Sequence, residues 1–205
     1  MPLSAPAPAI IRPTTDALIT VDMQNDFLVD GAPLRVPGGL ALVGAINAVS
    51  RQFTFRYQVA TQDWHPVDHC SFKQQGGPWP PHCIRGTPGA DLHADLHADN
   101  FQSILRKGTK QAADSYSAFA DDTKEPTGLA GLLHSLGVTR VFVVGVAYDY
   151  CVFFTAMDGR RLGFDVVVVS DLCAAVDEAT AKARTVALQE AGVVVLESSA
   201  LVMGQ

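Results

Sequence analysis

Asp22 and Cys151 stand where a carboxylate and a thiol could take part in one reaction. Asp22 directly follows an apolar stretch over 17–21, and Cys151 lies five residues after another, over 140–146, near the start of a helical pattern. The positive end of a helix dipole favours the thiolate of a nearby cysteine, so Cys151 could act as a nucleophile. The alternative interpretation of Cys151 is a small buried hydrophobic residue. The position alone leaves both interpretations open.

A second group of candidates lies in a long segment over 63–100, which holds five of the six histidines. Asp63 and His65 are two residues apart after an apolar stretch, so they point to one face if that stretch is a strand. His69 and His82 follow in the same segment. One carboxylate and up to three imidazoles could bind Zn²⁺, Mn²⁺ or Fe²⁺ and leave positions for water or substrate. The alternative is a set of solvent-exposed histidines in turns.

The elements that must position these residues alternate along nearly the whole chain. Six strands are predicted, over 17–21, 57–61, 103–106, 140–146, 165–169 and 193–196. Four helices are predicted, over 39–53, 127–136, 149–162 and 178–190. This alternation predicts an α/β fold of three layers: a doubly wound, mostly parallel six-stranded sheet in the order 3-2-1-4-5-6, with helices on both faces. Such sheets bind ligands beyond the carboxyl ends of their strands, where the order reverses. Between strands 1 and 4, that place would bring Asp22 and Cys151 together.

The composition sets the class of protein. With 205 residues, 48% hydrophobic and 18% charged, we expect a single domain over 1–205, with an irregular N-terminal arm over 1–15 and a functional loop over 63–100. A net charge of −6 disfavours nucleic-acid binding. The chain has no apolar run of about 18 residues, no secretory pattern at its start and only four scattered cysteines, so we expect a cytoplasmic protein without a membrane partner.

Several enzyme classes lack their motifs. No G-x-G-x-x-G follows the first predicted strand, and neither a P-loop nor a G-x-S-x-G sequence occurs. Dinucleotide-dependent dehydrogenases, P-loop enzymes and serine hydrolases are therefore disfavoured.

Six segments resemble the nicotinamidases of the isochorismatase-like hydrolase family. They are 21–27 (VDMQNDF), 61–66 (TQDWHP), 79–83 (WPPHC), 86–90 (GTPGA), 107–108 (KG) and 144–152 (VGVAYDYCV). They occur in the order and with the spacing of that family, from about residue 18 to the last predicted strand.

The resemblance implies a catalytic triad of Asp22, Lys107 and Cys151. In this triad Asp22 acts as the base toward the thiol and later toward water, while Lys107 favours the charged forms of both partners. The backbone N–H groups of Ala147 and Cys151 are implied to bind the oxyanion. A cis peptide is implied between Val146 and Ala147.

The resemblance also implies one divalent transition metal, zinc first, with manganese or iron as the alternatives. Its implied ligands are Asp63, His65, His82 and, as a fourth, His69. An aromatic wall around the substrate ring is implied by Phe27, Trp79 and Tyr150.

The function implied by the resemblance is that of a metal-dependent nicotinamidase. Such an enzyme would hydrolyse nicotinamide to nicotinate and ammonia through a cysteine thioester, in NAD salvage, and would accept pyrazinamide. The alternative is a metal-free cysteine amidohydrolase of the same family that acts on another amide or carbamoyl substrate. A ligand-binding module is disfavoured, because binding alone does not require the triad. Relatives commonly self-associate, so a homo-oligomer with a small-molecule substrate is expected.

Overall fold

The computed structural model describes residues 8–204. Its strands are β1 (Ala9–Ile11), β2 (Asp16–Val21), β3 (Tyr57–Asp63), β4 (Ser103–Lys107), β5 (Arg140–Val146), β6 (Asp165–Ala174), β7 (Val194–Leu196) and β8 (Leu201–Met203). Its helices are α1 (Asn25–Leu28), α2 (Leu42–Gln52), α3 (Leu129–Ser135), α4 (Phe153–Arg161) and α5 (Glu178–Glu190). A π-helical turn, Tyr148–Val152, leads directly into α4. Short 3₁₀ turns lie at Gly39–Ala41, Lys73–Gln75, Pro88–Ala90, Ala98–Asn100 and Ser198–Ala200.

The main sheet has the predicted strand order. Within residues 8–204 it contains six strands in the order β4-β3-β2-β5-β6-β7, and every neighbouring pair is parallel. Numbered along the chain, these are the six predicted strands in the order 3-2-1-4-5-6. The predicted fold class is therefore confirmed.

Helices cover both faces of the sheet, as β5 illustrates. Its side chains alternate between two apolar clusters, with Phe142 and Val144 in one and Val141 and Val143 in the other. The first cluster includes the apolar side of α2, and the second includes side chains of α3, α4 and α5. A strand buried on both faces has a nearly continuous apolar sequence, as β5 does.

Two element boundaries differ from the predictions by more than three residues. The helix expected over 149–162 begins as a π-helical turn and becomes α-helical only at Phe153. β6 extends to Ala174, beyond the predicted end at 169, because a register shift lets Cys173 and Ala174 pair again with the end of β5. Polar Ser170 and Asp171 interrupt the apolar pattern at that irregularity and hid the extension.

The prediction of an irregular arm over 1–15 is wrong for part of its length. Residues 1–7 lie outside the described part of the chain, but Ala9–Ile11 forms β1, which pairs in parallel with Leu201–Met203 near the other end of the chain. The Arg140 side chain fastens this small sheet to the main one, since it donates a hydrogen bond of 2.5 Å to the Ile10 carbonyl and contacts Asp16. A three-residue strand flanked by prolines gives no periodic signal.

The segment between β3 and β4 has little regular structure. It contains three 3₁₀ turns and isolated bridges such as His65 with Ile84 and Phe72 with Trp79. None of the helices in residues 8–204 has the length and apolar character needed to cross a lipid bilayer.

Candidate active site

The carboxyl ends of four neighbouring strands bring the candidate residues together. Asp22 follows β2, and Asp63 and Lys107 are register partners at the last positions of β3 and β4. Cys151 lies in the π-helical turn that follows β5. Because all four strands are parallel, these side chains meet at one edge of the sheet, where ligands of this fold class bind.

Lys107 is the centre of the cluster, and its side chain is completely buried. Its Nζ lies 2.9 Å from Asp22 Oδ2, 2.5 Å from Asp63 Oδ1 and 3.5 Å from Cys151 Sγ. It also donates to the Ser115 carbonyl at 3.0 Å. Burial opposes a charged ammonium, but the two carboxylates outweigh it and raise the pKa of Lys107 well above its usual value. The Lys107 ammonium group therefore contacts both carboxylates and the thiol at the same time.

Asp22 is fully buried and is bound from the neighbouring strand as well as by Lys107. The Thr61 hydroxyl donates to Asp22 Oδ1 at 2.6 Å and accepts from the Asp22 N–H at 3.2 Å. Burial raises the pKa of Asp22 above its usual value, although Lys107 and Thr61 act in the opposite direction. A carboxylate with a raised pKa is suited to take up a proton during a reaction.

The Cys151 thiol keeps its proton in this environment. Burial raises its pKa well above the usual value; Lys107 lowers it, but the nearby Asp22 and Asp63 carboxylates raise it further. The helix dipole and Lys107 favour a thiolate in the sequence-based interpretation, but the structure differs, because burial of the thiol, reinforced by the two carboxylates, outweighs Lys107. If this thiol is to act as a nucleophile, it must lose its proton during the attack, and the Asp22 carboxylate, within 4.8 Å of it, is placed to receive that proton.

Three buried residues form a set that could hold a metal ion. Donor atoms of Asp63, His65 and His82 all lie within 4.8 Å of one another. The Nδ1 atoms of the two imidazoles are bound to backbone carbonyls, that of His65 to Gly108 at 2.9 Å and that of His82 to Pro80 at 2.8 Å. These bonds orient the two rings through their Nδ1 atoms, which is how metal-binding histidines are usually held.

The charges of this set also suit a divalent cation. Burial alone would raise the pKa of Asp63, but Lys107 and His65 outweigh it and hold that pKa well below its usual range. Burial lowers the pKa of His82, so its imidazole is neutral, as a metal ligand must be. One carboxylate and two imidazoles match the donor types that zinc, manganese and iron accept.

His69, the expected fourth ligand, does not join the set. Its Nε2 is 3.1 Å from the Ala113 carbonyl and its Nδ1 is 2.7 Å from the Ser71 hydroxyl, so both ring nitrogens are occupied. The ring stacks on His65 with centroids 4.0 Å apart. In this structure His69 therefore packs against His65, a candidate metal ligand, and does not itself take the position expected of a fourth ligand.

The pocket above the cluster has aromatic walls. Phe27, Trp79 and Tyr150 all line it, together with Ala147 and Cys151. The Trp79 ring meets Tyr150 edge-on at 5.0 Å, and Phe27 lies 5.6 Å from His82. The peptide between Val146 and Ala147 is cis. A flat ring could therefore bind between apolar walls, with the thiol and the candidate metal set both in the same pocket.

Several residues of this site could not be identified from the sequence. Asp114 and Tyr116 line the pocket, and the Tyr116 hydroxyl accepts a hydrogen bond from Trp79 Nε1 at 2.9 Å. They lie in the irregular segment between β4 and α3, which has no periodic pattern. Thr61, which binds Asp22, stands inside the quoted segment 61–66, but nothing in the sequence distinguishes it from a strand residue.

Known proteins resemble this chain over most of its length. The family model for the isochorismatase domain matches residues 16–200. A structure of PnC1 from L. infantum in complex with nicotinate is 62% identical, with a TM-score of 0.94 and coverage of 96% of this chain and 99% of the other. The nicotinamidase of Acinetobacter baylyi is 40% identical over 78% of this chain and 82% of its own. A structure of the Pyrococcus horikoshii pyrazinamidase in complex with zinc is 38% identical, with a TM-score of 0.80 and coverage of 89% and 98%.

Proposed function

The chain belongs to the isochorismatase-like hydrolase family, and from this membership we propose that it is a metal-dependent nicotinamidase. It is a hydrolase that acts on amides. The observation that carries the more specific proposal is the contact of Lys107 with both Asp22 and Asp63, at 2.9 and 2.5 Å. Through this contact the thiol–carboxylate pair and the candidate metal set lie in one pocket. Such a pocket could bind the ring nitrogen of an aromatic amide and hydrolyse its carboxamide group.

The proposed reaction begins at the Cys151 thiol. Its proton passes to the Asp22 carboxylate while Sγ bonds to the carboxamide carbon, and the carbonyl oxygen becomes an oxyanion. The backbone N–H groups of Ala147 and Cys151 are assigned to that oxyanion. The proton held on Asp22 then moves to the leaving nitrogen, so that ammonia departs and a thioester remains.

Hydrolysis of the thioester uses the same residues. Asp22 is again ionised, removes a proton from an entering water molecule, and the resulting hydroxide bonds to the thioester carbon. The carbon–sulfur bond breaks and the proton on Asp22 returns to the Cys151 sulfur, while the product leaves as nicotinic acid, which loses its proton to the solvent and becomes nicotinate. Lys107 stays protonated throughout and limits the charge that builds up on its neighbours.

The ring of the substrate is assigned to the aromatic walls and the metal set. Asp63, His65 and His82 would hold one divalent ion, with zinc first and manganese or iron as alternatives, and that ion would bind the pyridine nitrogen. Phe27, Trp79 and Tyr150 would flank the ring. Pyrazinamide has a ring nitrogen and a carboxamide in the same relation, so it is proposed as a second substrate. We place the reaction in NAD salvage and expect the chain to act as a homo-oligomer.

Ammonia release from nicotinamide tests the proposal directly. The purified protein is expected to contain nearly one transition-metal ion per chain, to lose activity on chelation and to regain it with Zn²⁺, Mn²⁺ or Fe²⁺. Benzamide, which keeps the amide but lacks the ring nitrogen, is expected to react at least about a hundredfold more slowly, because misplacement of the amide by about 1 Å can lower the rate that much.

His65→Ala and His134→Ala form a matched pair for this experiment. His65 belongs to the metal set, whereas His134 is exposed and stacks on Phe164 at 4.3 Å, away from the pocket. Only His65→Ala should lose metal and activity. Equal rates with benzamide and nicotinamide in a metal-free protein would instead favour the metal-free amidohydrolase.

A further inference from the structure

Gln24 is completely buried, and its side chain holds the backbone of Asp63. Its Oε1 accepts from the Asp63 N–H at 2.7 Å, and its Nε2 donates to the Asp63 carbonyl at 2.8 Å. The second N–H of the amide reaches the Ala90 carbonyl at 2.8 Å. Both donors of the carboxamide are therefore used, and two of its three bonds go to one residue.

These two bonds replace a missing part of the sheet. The parallel pairing of β2 with β3 ends at Thr20 with Ala60, so β2 offers no backbone partner to Asp63. On the other side, the pairing of β3 with β4 continues to Asp63 with Lys107. The Gln24 carboxamide gives the Asp63 backbone one acceptor and one donor, which a continued β2 strand would otherwise supply.

The Asp63 carboxylate has two neighbours that depend on its position. Its Oδ1 lies 2.5 Å from Lys107 Nζ, and its Oδ2 lies 3.7 Å from His65 Nε2. Asp63 is also the last residue of β3, after which the chain enters the long irregular segment. Without a partner on the β2 side, the end of the strand would be held from one side only.

We propose that Gln24 is a positioning residue that fixes the Asp63 carboxylate for the metal set and for Lys107. The inference rests on the proposed metal site. Gln24 touches no metal or substrate in this scheme; it acts through the backbone of Asp63. Since partners that orient a metal ligand commonly change metal affinity by 10- to 100-fold, the loss of this carboxamide should be measurable in metal binding.

Gln62 provides a matched control. It is the same residue type, it is buried, and its Nε2 donates to the same Ala90 carbonyl at 3.1 Å, but its side chain makes no hydrogen bond to Asp63 within the described residues. Gln24→Met and Gln62→Met therefore both remove a bond to Ala90. Only the first also removes the two bonds to Asp63.

The experiment measures the zinc affinity of each metal-stripped protein by competition with a chromogenic chelator, with circular dichroism to verify folding. Gln24→Met is expected to bind zinc about 10- to 100-fold more weakly than the wild type, and Gln62→Met within about threefold of it. Should Gln24→Met not fold, Gln24→Asn serves in its place. Asparagine keeps the uncharged amide but is one methylene too short to reach Asp63.

Each outcome decides the inference. A folded Gln24 variant with wild-type zinc affinity would overturn it, and so would an equal loss in Gln24→Met and Gln62→Met, which would trace the effect to Ala90. Wild-type protein that binds no zinc would overturn it together with the metal dependence in the proposed function. A wild type that binds zinc but leaves nicotinamide intact, with the affinity lost only in the Gln24 variants, would support Gln24 as a positioning residue and refute the proposed substrate.

Discussion

Replacement of Thr61 by valine isolates one hydrogen bond to the proposed base. Valine keeps the β-branched shape in a fully buried strand position, but it removes the 2.6 Å bond from the Thr61 hydroxyl to Asp22 Oδ1. A hydrogen bond to a charged group contributes about 1.5–3 kcal/mol. One pKa unit corresponds to about 1.4 kcal/mol, so losing the bond should raise the pKa of Asp22 by about one to two units.

The sign of the effect follows from the role proposed for Asp22. Removing a donor destabilises the carboxylate relative to the carboxylic acid, so the raised pKa of Asp22 rises further. Since the base must be ionised, activity is lost first on the acid side. The acid limb of kcat/KM should move about one to two units toward higher pH, with the rate recovering above the new limb.

The assay is ammonia release from nicotinamide as a function of pH, with thermal unfolding as a second measurement. Thr61→Val also leaves the Asp22 N–H without its 3.2 Å acceptor, so the free energy of unfolding should fall by about 1–3 kcal/mol. Thr20→Val is the control: Thr20 is equally buried on β2, but its hydroxyl has no hydrogen-bond partner within residues 8–204. The control should keep the wild-type pH profile and at least the wild-type stability.

An unchanged acid limb in Thr61→Val would refute the assignment of Asp22 as the base, as would a limb moved toward lower pH. A similar shift in both variants would attribute the effect to strand packing.

Three further predictions concern the nucleophile, its cation and the backbone below them. Cys151→Ala should abolish hydrolysis while leaving the circular dichroism spectrum unchanged. Mass spectrometry of this variant should detect no pocket thiol that reacts with an aldehyde analogue of nicotinamide. Retained activity would contradict the role of Cys151. Lys107→Met should lower kcat nearly as much, and the double variant with Cys151→Ala should be no worse, because the residues act as a unit; additive losses would show that they act separately. Gly145→Ala should lower the free energy of unfolding by about 2–4 kcal/mol in a denaturant titration, since its φ is +112° and an added Cβ would lie 2.2 Å from the Val21 carbonyl oxygen. Gly44→Ala, in α2 with open space around the added methyl, should instead stabilise by about 1 kcal/mol, and an equal loss in both variants would contradict the steric argument.

The sheet could be predicted because its strands carry strong local signals. The run over 140–146 is apolar on both faces, and α5 begins after Asp177, whose side chain accepts from the Thr180 N–H. Both elements have the bounds expected from the sequence. β1 and β8 could not be predicted in this way, because each has three residues and exists only through its pairing with the other, far away in sequence.

In the candidate site, too, some residues could be predicted from the sequence and others could not. Strand ends and motifs pointed to Asp22, Asp63 and Cys151, since parallel topology brings such ends together. The path of the irregular segments decided the rest: whether a histidine turns its ring toward Asp63, as His82 does, or toward the Ala113 carbonyl, as His69 does. No periodicity encodes that choice.

The location of the candidate residues on strand ends also determines which parts of the site can move. β2 is buried at all six positions and is paired on both sides, so its amides should exchange with solvent only when most of the protein unfolds. The segment that carries Trp79 is joined by isolated bridges and 3₁₀ turns, and it should open at a much lower free energy. Hydrogen exchange would then distinguish slowly exchanging amides around Asp22 from rapidly exchanging amides around Trp79. Substitutions around Trp79 are therefore expected to change how readily the pocket opens without disturbing the packing of β2 below it.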